Sequence, residues 1–421
     1  MSEIPALGQL TIGYCPMIDR QRAVVALRLT VFPDRPDATP DPAALLQALN
    51  AVFPAPADGP LALTLRSLDT APAGAAPPPG GGTPVLLNIA SESLLDAVLA
   101  ADPPLQIMLE VPAFMVADPA RAPVLRALRA AGHVLAIKGR PVAELPRDLL
   151  PCFRHAIVDL SDDRRATSPG GATPARVIST VSSGIRTSAD LETAWTRGST
   201  AAIGWPIEDE LPRSGGRSIP PDLRGIVELM NRVDRDEPAE RMEHVLKADP
   251  TLAFRLMRYI NSAAFGLRME VTSFKHALML LGYSKLKRWL ALLLASGSKD
   301  SALRPIMYAA VRRGLIMEEL ARSSGDDEMR GEMFICGVFS LLDRMMRQPF
   351  SELLKNVPVP ARVQASLMTE DGPYAPHLDL VRAMEQGSAV DIREGAERLL
   401  VTPAEVNRAL FAALAAAREL D

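Results

Sequence analysis

The first half of the chain alternates short apolar runs with stretches of helical periodicity. The apolar runs predict strands over 23–32, 84–90, 105–112, 133–139, 155–161, 175–181 and 200–206. Helices are predicted between them, from Asp41, from Ser91, over Ala120–Ala131 and from Ser188. Continuous apolar strands separated by helices are typical of a parallel sheet buried on both faces. Seven such strands predict an α/β barrel, with a doubly wound open sheet as the alternative.

The second half has the pattern of an all-α domain. A stripe of apolar residues recurs there at helical spacing: Leu223, Ile226, Val227, Met230 and Val233. Asp249 followed by Pro250 is typical of a helix start, because aspartate caps the first turn and proline fits its first position. Ser273 and Gly282 bracket the next predicted helix.

Two segments lack apolar periodicity and divide the chain. Residues 69–84 are rich in proline, glycine and alanine, which is typical of a flexible insertion. Residues 206–223 combine acidic residues with Gly-Gly and Pro-Pro. We therefore predict an α/β domain over 1–206, a linker over 207–221 and a helical domain over 222–421.

Length and composition narrow the class of protein. The chain has 421 residues, of which 48% are apolar and 23% charged, and this balance is typical of a globular protein with two domains. No apolar run approaches the ~20 residues of a membrane span, and the N-terminus lacks a signal-peptide pattern, so we expect a cytoplasmic protein without membrane insertion. A net charge of −4 argues against nucleic acid as a partner.

The residues that most often build metal or nucleophile sites are few and scattered. Five histidines form no HxxxH or HExxH motif, and Cys15, Cys152 and Cys336 lie far apart. This spacing predicts no disulfide, zinc site or histidine-based catalytic site, and we expect no cofactor.

Three stretches of the second half, over residues 245–267, 271–290 and 336–346, resemble the HDOD domain family. The most diagnostic feature is the helix that starts at Asp249-Pro250 and leads to Asn261-Ser262, four residues that we expect to be structural. The family is related to HD-type phosphohydrolases, which carry a metal-binding His-Asp pair where this chain has Ser340 and Leu341. The resemblance covers residues 215–400 and implies a helical domain without a catalytic metal.

Several strands of the first half resemble those of EAL domains, the barrel phosphodiesterases of cyclic di-GMP. PVLLNIA ends near Asn88 and LQIMLEV near Glu110, and both residues match metal ligands of that family. Arg28 stands where the family has a third ligand, a glutamate. Lys138 and Gly139 replace its paired aspartates. In HAIVDL, Ile157 replaces a lysine, although Asp159 is present.

These departures predict the loss of catalysis. Cyclic di-GMP hydrolysis in that family needs two divalent cations held by carboxylates, and an arginine at a ligand position puts positive charge where a cation must bind. Asp162 and Asp163 do not replace the missing pair, because they follow the predicted strand and are read as a solvated loop. We therefore predict no catalytic residue, no metal site and no enzyme activity.

The remaining polar positions allow two interpretations. Arg28, Asn88, Glu110, Lys138 and Asp159 form either a vestigial nucleotide pocket at the strand ends or a set of ordinary strand-end caps. Arg28 and Lys138 either bind a phosphate directly or form ion pairs with Glu110 or Asp159.

The order of the two domains resembles a bacterial signalling class that regulates by binding. We therefore expect a non-catalytic signal-transduction regulator that contacts protein partners. The alternative is a receptor that binds cyclic di-GMP without hydrolysing it.

Overall fold

The structure is a computed structural model. It describes residues 5–35, 40–54, 84–139, 146, 148–164, 178–209, 221–248, 274–298, 300–369 and 371–418. Contacts between Cα atoms divide the chain into two compact units. The first unit comprises Met1–Asp209 with Leu380–Phe411, and the second comprises Glu210–Asp379 with Ala412–Asp421.

The first unit is built on eight strands and the helices between them. The strands are β1 (Leu10–Asp19), β2 (Val24–Pro33), β3 (Val85–Ile89), β4 (Ile107–Pro112), β5 (Leu135–Lys138), β6 (Phe153–Asp159), β7 (Ser179–Ile185) and β8 (Ala201–Gly204). The helices are α1 (Pro42–Val52), α2 (Glu92–Ala100), α3 (Ala113–Val116), α4 (Ala122–Ala130), α5 (Leu160–Arg164) and α6 (Ser188–Thr196).

The eight strands close into a barrel in sequence order. Pairs from β2 to β8 are parallel, whereas β1 runs antiparallel to both of its neighbours, β2 and β8. The predicted α/β barrel is therefore confirmed, and the open doubly wound sheet is wrong. The apolar pattern does not predict β1, because Gly13 and Pro16 interrupt its apolar run and both residue types are uncommon inside strands.

Helix starts in this unit follow the predicted capping residues closely. The side chain of Asp41 accepts a hydrogen bond from the backbone N–H of Ala43, and that of Ser91 accepts one from Leu94. The helix predicted from Ser188 does begin there, but its cap is the preceding Thr187, which forms a capping box with Asp190. Each cap satisfies backbone donors that the first helical turn leaves without partners.

The C-terminal residues 380–411 group with the barrel, whereas the sequence places them in a helical domain over 222–421. Trp205 donates its indole N–H to the carbonyl of Glu385 at 3.1 Å. Asn407 is buried and donates to the carbonyls of Leu7 and Leu10 at 2.8 and 2.7 Å. Since these bonds join segments 180 to 400 residues apart, no local pattern predicts them.

A close backbone approach supports the same grouping. A Cβ atom added at Gly13 in β1 would lie 2.7 Å from the Cα of Gly387, which itself has a φ of +67°. A side chain at position 13 would displace backbone, and the positive φ at position 387 favours glycine. The contact fixes the turn after residue 386 against the first strand of the barrel.

The described part of the C-terminal half is helical, as predicted. Its helices are α7 (Pro221–Asp234), α8 (Ala239–Ala248), α9 (Phe274–Ser296), α10 (Arg304–Leu320), α11 (Asp327–Phe339), α12 (Leu342–Met346), α13 (Phe350–Leu353), α14 (Ala361–Met368), α15 (Ala375–Gln386), α16 (Ala389–Arg398) and α17 (Pro403–Arg418). The predicted break at Gly282 is present, because this residue has a φ of 69° and a ψ of 170° inside α9. The predicted stripe from Leu223 to Val233 is buried.

Some sequence expectations fall outside the described residues. They include the insertion up to residue 83, the middle of the linker over 210–220, and the HDOD residues Asp249, Pro250, Asn261 and Ser262. Among the described residues, no single helix has the length and apolar character of a membrane span, and one pair, α16 with α17, meets those criteria jointly across a bend of 106°.

Candidate functional site

The five predicted site residues lie on five neighbouring strands, each two residues past an apolar residue of the barrel interior. The interior of the barrel is filled by apolar side chains that include Ala26, Leu86, Met108, Ala136 and Ile157. Two residues further along the same strands stand Arg28, Asn88, Glu110, Lys138 and Asp159. Because side chains alternate between the faces of a strand, residues two apart share a face. The five residues therefore lie above the apolar interior, toward the carboxyl ends of the strands.

Arg28 and Glu110 form a two-point ion pair at this end of the barrel. Arg28 Nε donates to Glu110 Oε1 at 2.6 Å, and Nη2 donates to Oε2 at 2.7 Å. The side chain of Glu110 is 0% exposed and that of Arg28 is 14% exposed. Both carboxylate oxygens of Glu110 are thus occupied by the guanidinium, in the parallel arrangement that arginine prefers with carboxylates.

Lys138 and Asn88 form a second polar contact in the same part of the barrel. Lys138 Nζ donates to Asn88 Oδ1 at 2.9 Å, and Asn88 Nδ2 donates to Thr30 Oγ1 at 3.2 Å. Asn88 is buried, and Thr30 lies two residues after Arg28 in β2. The amide of Asn88 is therefore held at both ends, by Thr30 from the neighbouring strand β2 and by Lys138 from β5, two strands away.

We call the carboxyl ends of the strands, where these residues lie, the mouth of the barrel. The pKa values of its two cationic residues, Arg28 and Lys138, depend on burial and on the charges around them. Burial lowers the pKa of the Lys138 ammonium, and the nearby charge of Arg28 lowers it further, while Glu110 opposes both effects. Burial alone would lower the pKa of the Arg28 guanidinium as well. The charge and hydrogen bonds of Glu110 outweigh burial and raise this pKa above its usual value. Arg28 therefore stays charged at any pH where the fold exists.

Asp159 differs from the other four residues in its contacts. Its Oδ1 accepts hydrogen bonds from the backbone N–H of Ser161 at 2.9 Å and from the Ser161 hydroxyl at 2.6 Å. These bonds cap the short helix α5, as the strand-end interpretation predicts for this residue. Asp162 is exposed within the same helix, so it belongs to a short helix rather than to the predicted loop.

The sequence analysis missed two residues of the site, Cys15 and Thr30. Cys15 pairs with Arg28 across the antiparallel β1–β2 ladder and shares a hydrogen bond with its guanidinium. Thr30 was detectable, because it continues the two-residue period of Arg28. Cys15 was not, because its place depends on β1, which the apolar pattern does not predict.

The half-buried Cys15 offers a direct test of this geometry. Burial raises the pKa of this thiol from 9.0 to about 11, Arg28 lowers it in part and Glu110 raises it. We expect Cys15 to react with iodoacetamide at pH 8 about 100-fold more slowly than a free thiol, because only the thiolate reacts. Mass spectrometry of the alkylated peptide measures this rate, and the urea-unfolded chain serves as the reference. A native rate equal to the unfolded rate would contradict this geometry.

The same thiol makes the stability of the folded chain fall at high pH. Its pKa is higher in the folded chain than in the unfolded chain, so its stabilising contribution is present below pH 9 and is lost as the pH rises through 11. Alkylation of the folded protein should accelerate over that same interval.

The residues present do not fit the divalent cations that the EAL resemblance implies. Both oxygens of Glu110 accept from Arg28, and the oxygen of Asn88 accepts from Lys138. Two cationic groups are thus bonded to the oxygens that the resemblance would assign to a metal. Among the residues that the structure describes, no three histidine, cysteine, aspartate or glutamate side chains converge on a possible metal position.

The second unit has a comparable arrangement at Ser340 and Leu341, the position that the resemblance aligns with a His-Asp pair. Ser340 accepts a hydrogen bond from Arg313 Nη1 at 3.0 Å and donates to the carbonyl of Gly337 at 2.7 Å. Leu341 and Arg313 are both buried. A leucine has no atom that ligates a metal, and the adjacent buried guanidinium adds positive charge at this position.

The comparison with family models finds a match in the second unit. Residues 218–351 match the model of the HDOD domain. The chain contains an HDOD domain. This match begins within the predicted linker and ends at the start of α13, so the helices beyond residue 351 lie outside it.

Two curated proteins are similar to part of the chain. The uncharacterized protein YuxH of Bacillus subtilis is 25% identical over 177 residues, which cover 41% of this chain and 43% of YuxH. The cyclic di-GMP phosphodiesterase CdgJ of Vibrio cholerae is 25% identical over 146 residues, which cover 35% of this chain and 34% of CdgJ. The matched segments thus span less than half the length of either relative.

Among solved structures, the EAL enzyme Bd1971 in its cyclic GMP-bound form matches 48% of this chain and 62% of its own chain. The two are 14% identical, with a TM-score of 0.32. A score of this size does not by itself establish a shared fold, and the barrel described above stands on its own strand pairing.

Proposed function

We propose that this protein is a non-catalytic regulator in cyclic di-GMP signalling. The observation that carries the proposal is the two-point pair between Arg28 and Glu110, which fills the cation position of the barrel with a guanidinium. Lys138 on Asn88 adds a second cation there. Hydrolysis of a phosphodiester by this route needs bound divalent cations to activate water and to neutralise charge. In these contacts the oxygens of Glu110 and Asn88 are already bonded to Arg28 and Lys138, which supports the proposal.

The test is hydrolysis of cyclic di-GMP by the full chain in magnesium and in manganese. We expect no linear dinucleotide above the level of the Glu110→Ala variant, with chromatography as the measurement. The variant controls for contaminating phosphodiesterase, since it has the same purification history. Turnover by the natural chain that Glu110→Ala abolishes would overturn the proposal.

In this proposal the HDOD domain supplies contacts to protein partners. Its core position Ser340-Leu341 lacks metal ligands, so binding rather than phosphohydrolysis is the role that its chemistry allows.

A second candidate function is reception of cyclic di-GMP without hydrolysis. It is favoured by the same two cations, because Lys138 and Arg28 put positive charge at the carboxyl ends of the strands, where α/β barrels bind ligands. A phosphate can be bound directly by such groups without a metal. Isothermal titration with cyclic di-GMP tests this function, and micromolar binding that is equal in magnesium and in EDTA is the expected result.

A further inference from the structure

A single exposed aromatic residue stands at the carboxyl end of β4. Helix α3, over Ala113–Val116, begins directly after this strand and contacts both β4 and β5. Three of its four residues are buried, whereas Phe114 is 62% exposed. The helix is thus anchored to the two strands that carry Glu110 and Lys138, and it leaves one aromatic ring in solvent.

The strand register places Phe114 beside the polar mouth. Pro112 at the end of β4 pairs with Lys138 at the end of β5, and Phe114 follows Pro112 by two residues. Phe114 therefore follows, by two residues, the position of β4 that pairs with Lys138, and it stands on the side to which the strands point. A single exposed apolar residue is common on protein surfaces, so its exposure alone carries little weight. Its place at the carboxyl end of β4, beyond the residue that pairs with Lys138, is what matters.

An aromatic face next to a cation suits one class of ligand. A nucleotide presents a flat base and an anionic phosphate close together, and bases stack on aromatic side chains whatever their sequence. The other residues placed at this mouth above are Arg28, Glu110, Asn88, Cys15, Thr30 and Asp159. None of these groups offers a flat apolar surface to a base.

We infer that Phe114 is a stacking platform for a purine base of the nucleotide whose phosphate contacts Lys138. This inference rests on the second candidate function, the binding of cyclic di-GMP. It assigns a binding residue on α3, outside the set of strand-end positions that the sequence analysis identified. Loss of one stacked base corresponds to about 5- to 150-fold weaker binding.

The experiment is titration of the full chain with cyclic di-GMP. Phe114→Ala should weaken binding about 5- to 150-fold, and Phe114→Trp should retain it. The matched control is Leu105→Ala. Leu105 is 52% exposed and precedes the same strand, so it tests loss of an exposed apolar group at the opposite end of the barrel. We expect this control to bind as the natural chain does.

Two outcomes overturn the inference separately from the function on which it rests. If the natural chain binds cyclic di-GMP and Phe114→Ala binds it equally well, the stacking role is wrong while the receptor function stands. If the natural chain does not bind, the receptor function fails first. Inorganic phosphate as a competing ligand adds a further check, because its affinity should be the same for Phe114→Ala and for the natural chain.

Discussion

Replacing Arg28 with alanine should destabilise the barrel unit by about 3–5 kcal/mol. The side chain of Glu110 is fully buried, and its two oxygens accept from the guanidinium at 2.6 and 2.7 Å. Removal of Arg28 leaves a carboxylate in an apolar interior with neither water nor its principal cation. Urea unfolding followed by tryptophan fluorescence measures the effect, since Trp195 and Trp205 both belong to this unit.

Two controls separate this effect from a general sensitivity to mutation. The double variant Arg28→Met with Glu110→Leu removes both charges together and should recover most of the loss, because no unpaired ion remains buried. The variant Arg22→Ala breaks the more exposed pair between Arg22 and Glu192 in the same unit. It should cost less than about 1 kcal/mol. Equal losses for Arg28→Ala and Arg22→Ala would contradict the burial argument.

The site residues could be predicted from the sequence better than their partners. Each of Asn88, Glu110 and Lys138 ends an apolar run, and parallel strands bring their carboxyl ends to one edge, so their convergence follows from the strand pattern alone. The choice between phosphate binding and ion pairing for Arg28 was open, because it depends on side-chain geometry across 82 residues of sequence separation. The structure brings Arg28 to Glu110 and leaves Asp159 as a helix cap.

The fold was predictable where apolar residues recur without interruption. β2, β3, β4 and β5 were found at nearly their observed bounds. β1 was missed because glycine and proline interrupt its run of apolar residues. The antiparallel pairing of β1 with β2, which places Cys15 beside Arg28, was therefore missed as well. The helices of 380–411 were expected, but their grouping with the barrel depends on bonds such as that from Asn407 to the carbonyl of Leu10. Such long-range bonds do not produce a periodic pattern of residues in the sequence.

The double variant Arg28→Glu with Lys138→Asp should gain a divalent-cation site that the natural chain does not offer. Arg28 and Lys138 donate hydrogen bonds to oxygens of Glu110 and Asn88, which are otherwise suitable metal ligands. Their replacement frees these oxygens and adds two more carboxylates at the same end of the barrel, one on β2 and one on β5. Magnesium and manganese prefer such oxygen ligands. Thermal unfolding with added manganese measures the gain, because a ligand that binds only the folded state stabilises it by about 2.7 kcal/mol at 100 times its Kd.

The control for this gain is Arg28→Met with Lys138→Met, which removes the same two cations without adding a ligand. It should not respond to manganese, and neither should the natural chain. Without metal, the variant Arg28→Glu with Lys138→Asp should be less stable than the natural chain and than the methionine control. Three carboxylates then repel one another near the buried position of Glu110. Metal should reverse that loss. A Glu-Asp variant that unfolds at the same temperature with and without manganese would show that Arg28 and Lys138 do not stand in for a cation, and the non-catalytic proposal would lose its main support.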